Sequence, residues 1–469
     1  MPEFVRTEDL FKPKQSEPAL DSKDVWRRSG YILIGLAVFL GLVIAGWYAW
    51  HLIHRSSYHN RLAAITADYP AGTGLDAARV LPQIFVTVMT GTGAHAWFDA
   101  DRYRQRVEAF AQNFNDVIVV RTQEEALRFS SSQPTYQLQF SFGVLEDAMR
   151  GVLQITDAND GRLLDAKEIV LDEAMVRMYR PGSLAQTPND LNAVRLAIES
   201  YGLIYTDIVK LSSIDGPLAC FGKVYAFQAN PTQSGHLAAR QCLEDTIRQH
   251  PQLIQAYSLL GGIYISEYLN NLNSMPGDPL ELADAALKKA VRLLPNSSLA
   301  YQYMQYLILI RGDPEAAIKA GEKSVRLNPE SMAAIGNYAC ILSFLGRYED
   351  AAALLLRAET DLVSPPQWLH FHTFLSLNNL GRYEEADYHA EHLTGASIPL
   401  FLSAVAIAAH RAGNEAAAQQ AIQSMIGRAP AWRTNPLGEL KRYGFSDGAA
   451  EKLLRDLVTA GLSLRDEPN

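Results

Sequence analysis

QAYSLLGGIYISEYLNNLNSMPGDPLELADAALKKAVRLLP, residues 255 to 295, reads as two helices of opposite direction separated by a polar insertion. Tyr257, Leu260, Gly261 and Tyr264 share one face of the first helix, and Ala283, Leu287 and Ala290 share one face of the second, which stops at Pro295. Gly261, Ala283 and Ala290 stand where paired helices 8–10 Å apart leave room only for small side chains. The insertion, roughly NNLNSMPGDP, is a loop that stacked helix pairs tolerate on one face.

The unit recurs. GDPEAA starts at Gly312, GRYEDA at Gly346, GRYEEA at Gly381 and GNEAAA at Gly413, at offsets of 34, 35 and 32 residues. Pro295 and Pro329 close the segments KKAVRLLP and EKSVRLNP at an offset of 34. Ala351, Ala358 and Ala386 continue the series of small residues. A period near 34 with a small residue at each tight helix contact is the signature of tetratricopeptide (TPR) repeats, so residues 218–462 are expected to form an all-α TPR superhelix.

Residues 61–211 alternate strand and helix signals instead. PQIFVTVM (82–89) and DVIVVRT (116–122) are short β-rich runs, with Tyr103, Val107, Phe110 and Phe114 marking an amphipathic helix between them. Tyr136, Leu138, Phe140 and Phe142 alternate with polar residues as in a half-buried antiparallel strand. Segments 151–156 and 163–171 flank DANDGR, whose Asp-Gly signals a hairpin turn. Thr187 reads as an N-cap, with Pro188 in the first turn of one long helix striped by Leu191, Val194, Ile198, Tyr201, Tyr205 and Ile208. A small α+β domain is expected here.

YILIGLAVFLGLVIAGWYAWHLI (31–53) is uncharged and apolar. About twenty such residues cross ~30 Å of hydrocarbon, so the run is expected to be a transmembrane helix. Lys12, Lys14, Lys23, Arg27 and Arg28 precede it and only Arg55 and Arg61 follow closely, which places residues 1–30 as a cytoplasmic tail. Bulky Trp47, Tyr48 and Trp50 occupy the place where a cleaved signal peptide would carry small residues. Ala37, Gly41, Ala45 and Ala49 make a ladder of small residues that permits close helix pairing in the bilayer, and hence a homodimer. The fold class is therefore a single-pass membrane protein with a small α+β domain followed by a TPR superhelix.

A membrane anchor, YQLQFSFGVLEDAMRGVLQITDANDGRLLDA, PLAC…ARQCLEDTIRQHPQLIQAYSLLGGIY, the repeats and AEKLLRDLVTAGL, in this order, resemble the extracytoplasmic half of bacterial membrane regulators of the ToxR/CadC type. They are also similar to the tails of membrane-bound class III adenylate cyclases. The resemblance implies an α+β domain like the N-terminal domain of TolB and an output on the cytoplasmic side. Thirty residues are too few for a winged helix or a cyclase domain, so neither DNA binding nor cyclic-nucleotide synthesis carries over.

With a helical hairpin turning at Asn230-Pro231-Thr232, Cys220 and Cys242 face each other. An oxidising compartment permits a disulfide there, closing a loop of roughly 20 residues and contributing ~3 kcal/mol in the chain-entropy model; two reduced core cysteines are the alternative. Cys340 falls on the first helix of a repeat and is expected to stay unpaired.

Catalytic motifs are missing: there is no G-x-S-x-G, S-x-x-K, H-E-x-x-H or P-loop. Gly91-Thr92-Gly93-Ala94-His95-Ala96 has the G-x-G-x-x-A form of a dinucleotide loop, but the next helix starts near Asp99 or Asp101, too late for its N-terminus to meet a pyrophosphate. Asp157, Asn159 and Asp160 lack the spacing of a calcium loop and suit a solvated turn. His389 and His392, with His370 and His372 on the partner helix, lack a carboxylate or thiolate placed to complete a metal site, so no metal or other cofactor is expected. A net charge of −9 without a basic stripe excludes nucleic acid as the main partner.

First helices of TPR pairs line the concave face, so Gln302, Tyr303, Tyr306, Gly336, Asn337, Cys340, Phe371, His372 and Leu375 are expected to point into a groove free of basic residues. Such a groove suits an apolar or aromatic-bearing protein or peptide segment, unless the α+β domain or the loop near Asn270 covers it. The expectation is a non-enzymatic sensor or interaction adaptor of the bacterial inner membrane, N-terminus cytoplasmic and bulk periplasmic. The alternatives are a nucleotide-binding enzyme using the 91–96 loop and a structural subunit of an envelope complex.

Overall fold

A computed structural model describes residues 39–47, 58–67, 80–91, 95–114, 116–125, 133–145, 148–178, 187–210, 216–274, 277–360, 362 and 365–464. Two compact units divide the chain, residues 1–59 and 60–469. In the first, residues 39–47 are helical, with Phe39, Leu40, Leu42, Val43, Ile44 and Trp47 exposed. Among the described residues no helix is long and apolar enough to cross a membrane. Gly41 and Ala45 lie on that described turn of helix, whereas Ala37 and Ala49 lie outside the described residues.

The second unit opens with helical residues 60–66 and continues into a five-stranded sheet of order β2-β1-β3-β4-β5, made by β1 (Gln83–Thr90), β2 (Ile118–Val119), β3 (Thr135–Leu145), β4 (Ala148–Asp157) and β5 (Leu163–Leu171). β1 runs parallel to β2 and β3, and β3, β4 and β5 form an antiparallel meander. The expected 116–122 strand is only two residues long. Helix α1 (Ala100–Ala111) covers one sheet face, where Tyr103 meets the rings of Phe140 and Phe142 at 5.3 and 5.2 Å. α2 (Glu173–Met178) follows the last strand.

One helix was expected after Thr187; two are found, α3 (Asn189–Ile198) and α4 (Leu203–Lys210). The break has a local component, Gly202, where a Cβ would lie 2.7 Å from the Leu196 carbonyl oxygen, and a tertiary one. Glu199 leaves the helix in extended conformation, and its Oε1 accepts from the Ser331 hydroxyl at 2.9 Å and the Ala333 N–H at 2.8 Å. Thr187 is not the cap either: Pro188 holds that place, and the Thr187 hydroxyl donates to Glu330.

From α5 (Pro217–Ala229) and α6 (Gln233–Gln249) onward, helices pair in antiparallel hairpins. The pairs are α7 (Ile254–Asn270) with α8 (Pro279–Leu293), α9 (Ser298–Ile310) with α10 (Pro314–Leu327), α11 (Met332–Phe344) with α12 (Tyr348–Thr360), α13 (Gln367–Asn379) with α14 (Tyr383–Glu391) and α15 (Pro399–Arg411) with α16 (Glu415–Arg428). α17 (Ala431–Thr434), α18 (Pro436–Arg442) and α19 (Asp447–Thr459) finish the chain.

The repeat glycines explain the period. Gly312, Gly346, Gly381 and Gly413 all have φ between 72° and 89°, the left-handed region open to glycine at little cost. In each case the following N–H reaches five residues back, as Asp313 does to Ile308 and Arg347 to Leu342, which closes the helix end as a Schellman motif. Asp313-Pro314 then starts the next helix at once, with the Asp313 carboxylate accepting from the Ala316 N–H and proline at the first helical position. Between paired helices, a Cβ on Gly261 would lie 2.6 Å from Leu287, so only glycine fits that contact.

Sheet and repeats share a buried polar seam. Asp116 accepts from the Ser200 and Tyr225 hydroxyls, while the Tyr205 hydroxyl donates to the Asp116 backbone oxygen. Together with the bonds from Glu199 to the N-terminus of α11, these contacts fix the α3/α4 turn against the repeat helices.

Candidate functional site: an apolar pocket in the repeat concavity

First helices of successive repeats line a half-open pocket of about 160 Å³. α7 supplies Gly262, Ile265, Ser266 and Leu269; α9 supplies Tyr303 and Tyr306; α11 supplies Asn337 and Phe344; α13 supplies Trp368 and His372; and Ile398, Leu400 and Phe401 come from the start of α15. None of the lining side chains carries a formal charge at neutral pH, because His372 is held neutral: burial takes its pKa down to about 3. An apolar cavity of roughly this size is enough for one aromatic ring.

The concave face is covered more than the sequence suggested. Tyr201, in the α3/α4 turn, enters the pocket wall and donates to Gln228 Oε1 at 3.1 Å, and Gln228 Nε2 donates to the Tyr303 hydroxyl at 2.7 Å. Opposite, the segment after α18 folds back: the Tyr443 hydroxyl donates to Asn270 at 2.7 Å and the Ser446 N–H to the Phe344 carbonyl at 3.0 Å. The α5/α6 turn also touches the start of α15 through Pro231 and Ser397. The open peptide groove expected from the sequence is thereby narrowed to a half-open pocket.

Tyr303, Tyr306, Asn337 and His372 therefore line one pocket. Gln302 sits behind it, its Oε1 accepting from Asn337 Nδ2 at 3.4 Å, and Gly336 is packed against Trp368. Cys340 is a free, buried core residue. Phe371 and Leu375 are buried in helix packing, with Phe371 stacked on Phe401 at 5.3 Å, so they do not belong to the pocket wall. Sequence reading passed over Trp368, Phe344 and Tyr443, although aromatic side chains at first-helix positions were a usable signal for the first two.

Cys220 and Cys242 are paired across the α5/α6 hairpin with Cα atoms 5.6 Å apart. In the 91–96 loop, residues 92–94 lie outside the described residues. The helix that follows starts at Ala100, and Asp99 spends its carboxylate on the N–H groups of Asp101 and Arg102, leaving no bare N-terminus for a phosphate. Asp157 and Asp160 lie beside Arg162, which also pairs with Asp207 at 2.8 Å.

The histidines separate. His372 Nδ1 donates to Ser343 Oγ at 2.6 Å, on the pocket side; the Ser343 hydroxyl itself donates to the Cys340 carbonyl. His370 and His389 meet elsewhere, with their Nδ1 atoms 3.1 Å apart. A carboxylate does join them, contrary to the sequence reading. Glu359 on α12 lies 3.7 Å from His370 Nδ1 and 3.6 Å from His389 Nε2.

No protein-family model matches the chain, and no curated protein matches it. Among solved structures the chain is similar to PilF of Pseudomonas aeruginosa, at 20% identity over 44% of this chain and 86% of that one, with a TM-score of 0.31. It is also similar to PilW, described as a widely conserved type IV pilus biogenesis factor, at 16% identity over 54% and 98% of the two chains, TM-score 0.30. A third is YrrB, described as a TPR protein with an unusual peptide-binding site, at 17% identity over 46% and 100%, TM-score 0.26. TM-scores this low carry no argument about function. The TPR-like superhelix rests on the helix pairs and small-residue contacts themselves.

Proposed function

We propose that the chain is a non-enzymatic interaction adaptor, anchored in the bacterial inner membrane by residues 31–53, with its N-terminus cytoplasmic and residues 60–469 periplasmic. The pocket carries this reading. It is lined by uncharged aromatic, aliphatic and amide side chains, most of them from five repeats, and its volume matches a single aromatic or branched side chain presented by a protein partner. A charged or C-terminal carboxylate anchor has no cation to meet there.

Anchoring is supported by the apolar run and by the row of exposed Phe39, Leu40, Val43, Ile44 and Trp47 on the helical residues 39–47. The regulators and cyclases that the chain resembles place such a module outside the membrane. Asp99, by capping α1, weighs against the nucleotide-binding alternative, and stability is expected to be unchanged by NAD(P).

The test places a photo-crosslinking amino acid at Trp368, in the pocket wall, in cells making the full chain. A discrete protein adduct is expected, and it should vanish when Ser266→Phe fills the pocket. No adduct, or one that persists in the filled variant, overturns the reading. An adduct of only a few hundred daltons would assign the pocket to a small lipophile instead.

A further inference from the structure

We propose that Glu359, His370 and His389 form a binding site for a divalent cation of the zinc class, clipping α12, α13 and α14 together. The three donors come from three consecutive helices, and one ligand atom of each falls within 4.8 Å of the others. Their side chains are 15%, 6% and 4% exposed, an unusual depth for a carboxylate and two imidazoles on what would otherwise be a plain helix-packing seam. A tetrahedral zinc with bonds of about 2.0–2.1 Å holds neighbouring donors roughly 3.3 Å apart, so small side-chain rotations bring this set to coordination geometry.

The geometry itself requires a lone pair: His370 and His389 bring their Nδ1 atoms to 3.1 Å, a contact in which at least one of the two nitrogens carries no proton. The titratable side chains facing them are Glu359 on α12, Glu385 on α14 and His392 just after it. His392 Nδ1 donates to the Tyr388 carbonyl, and its ring stacks on His370 at 4.3 Å, fixing that imidazole plane as outer-sphere groups do in metal sites. An open cavity lined by Leu356, Glu359, Tyr388 and His389 gives solvent and ions a path in, and leaves the fourth position to water. Two nitrogens and one carboxylate select a first-row metal such as zinc over calcium or magnesium, which require more oxygen donors.

Chelator-treated full chain is titrated with ZnCl2 by calorimetry, and with CoCl2 by visible absorption. One zinc per chain is expected, with the strong visible bands of four-coordinate cobalt. Affinity should fall at least about tenfold in Glu359→Gln and in His389→Ala, and stay unchanged in His410→Gln. Zinc should raise the Tm of the wild-type chain and leave that of Glu359→Gln unmoved. Should His389→Ala fail to fold, Glu359→Gln, which keeps side-chain volume, decides alone. No saturable zinc binding, or binding that Glu359→Gln leaves unaltered, reduces the cluster to a histidine–histidine hydrogen bond beside a carboxylate.

Discussion

Glu199 is a carboxylate committed to a helix N-terminus. Ser331 caps α11 by accepting from the Ala334 N–H and turns its own hydroxyl to Glu199, which also takes the Ala333 N–H. The second carboxylate oxygen is buried without a hydrogen-bond partner among the described residues. Burial is the larger effect and outweighs Arg195 and these donors, so the carboxyl titrates at about 7. Because the folded value lies above the unfolded one, near 4.5, stabilisation is full below about pH 4.5 and is lost as pH rises through 7. Asp116, raised to about 6 by burial, acts in the same direction. Urea unfolding of Glu199→Gln at pH 5 and pH 8 should show a smaller loss with rising pH than wild type, by ~3 kcal/mol; equal slopes would remove Glu199 from the seam. Gly262 gives a second test at this scale. A Cβ there would meet the Tyr303 ring at 2.5 to 2.9 Å, so Gly262→Ala should cost about 1–3 kcal/mol and push Tyr303 into the pocket. An unchanged Tm would show that the ring moves aside freely.

Helix pairs are the units of stability in the repeats, and the α5/α6 hairpin carries a covalent option of its own. Cys220 and Cys242 are 22 residues apart in sequence, and closing such a loop contributes ~3 kcal/mol when oxidised. Reductant, or Cys220→Ser with Cys242→Ser, should lower Tm, and alkylation under native oxidising conditions should label Cys340 alone after unfolding; three labelled thiols would mean the reduced form. The hairpin was readable because its turn and both cysteines are local to one pair of helices. The same holds for the repeat glycines, whose positive φ is a requirement of a single residue. Other features were hidden because their causes are tertiary. Between Ile198 and Leu203 only Gly202 gave a local sign of a break, and a Cβ there would lie 2.7 Å from the Leu196 carbonyl oxygen; Glu199 then holds the kink through donors on α11, more than a hundred residues away. Glu359 was passed over beside the histidines because it sits on the preceding repeat's helix. Phe371 and Leu375 were given to the groove because α13 is buried on every side from Leu369 to Asn378, so no apolar stripe marks its concave edge.

Within residues 60–469 the superhelix, the α3/α4 turn and the C-terminal cover surround the aromatic pocket, and the proposed role depends on which compartment that pocket faces. Six basic residues before the apolar run against two close behind it are the sequence feature on which the proposed orientation rests, since positive charge is retained on the cytoplasmic side of an inserted helix. An oxidisable Cys220–Cys242 pair fits the same orientation, because disulfides persist outside the cytosol. Protease added to intact spheroplasts should therefore remove the 60–469 unit and leave a short membrane-protected fragment containing residues 1–53. Reversing the flanking charges, by replacing Lys23, Arg27 and Arg28 with glutamine and adding lysines after residue 53, should increase the protected fraction of full-length chain. Full-length protein that resists protease until the spheroplasts are lysed would place the pocket in the cytoplasm. The periplasmic adaptor would then be excluded, while the pocket and the Glu359 cluster would keep their own separate tests.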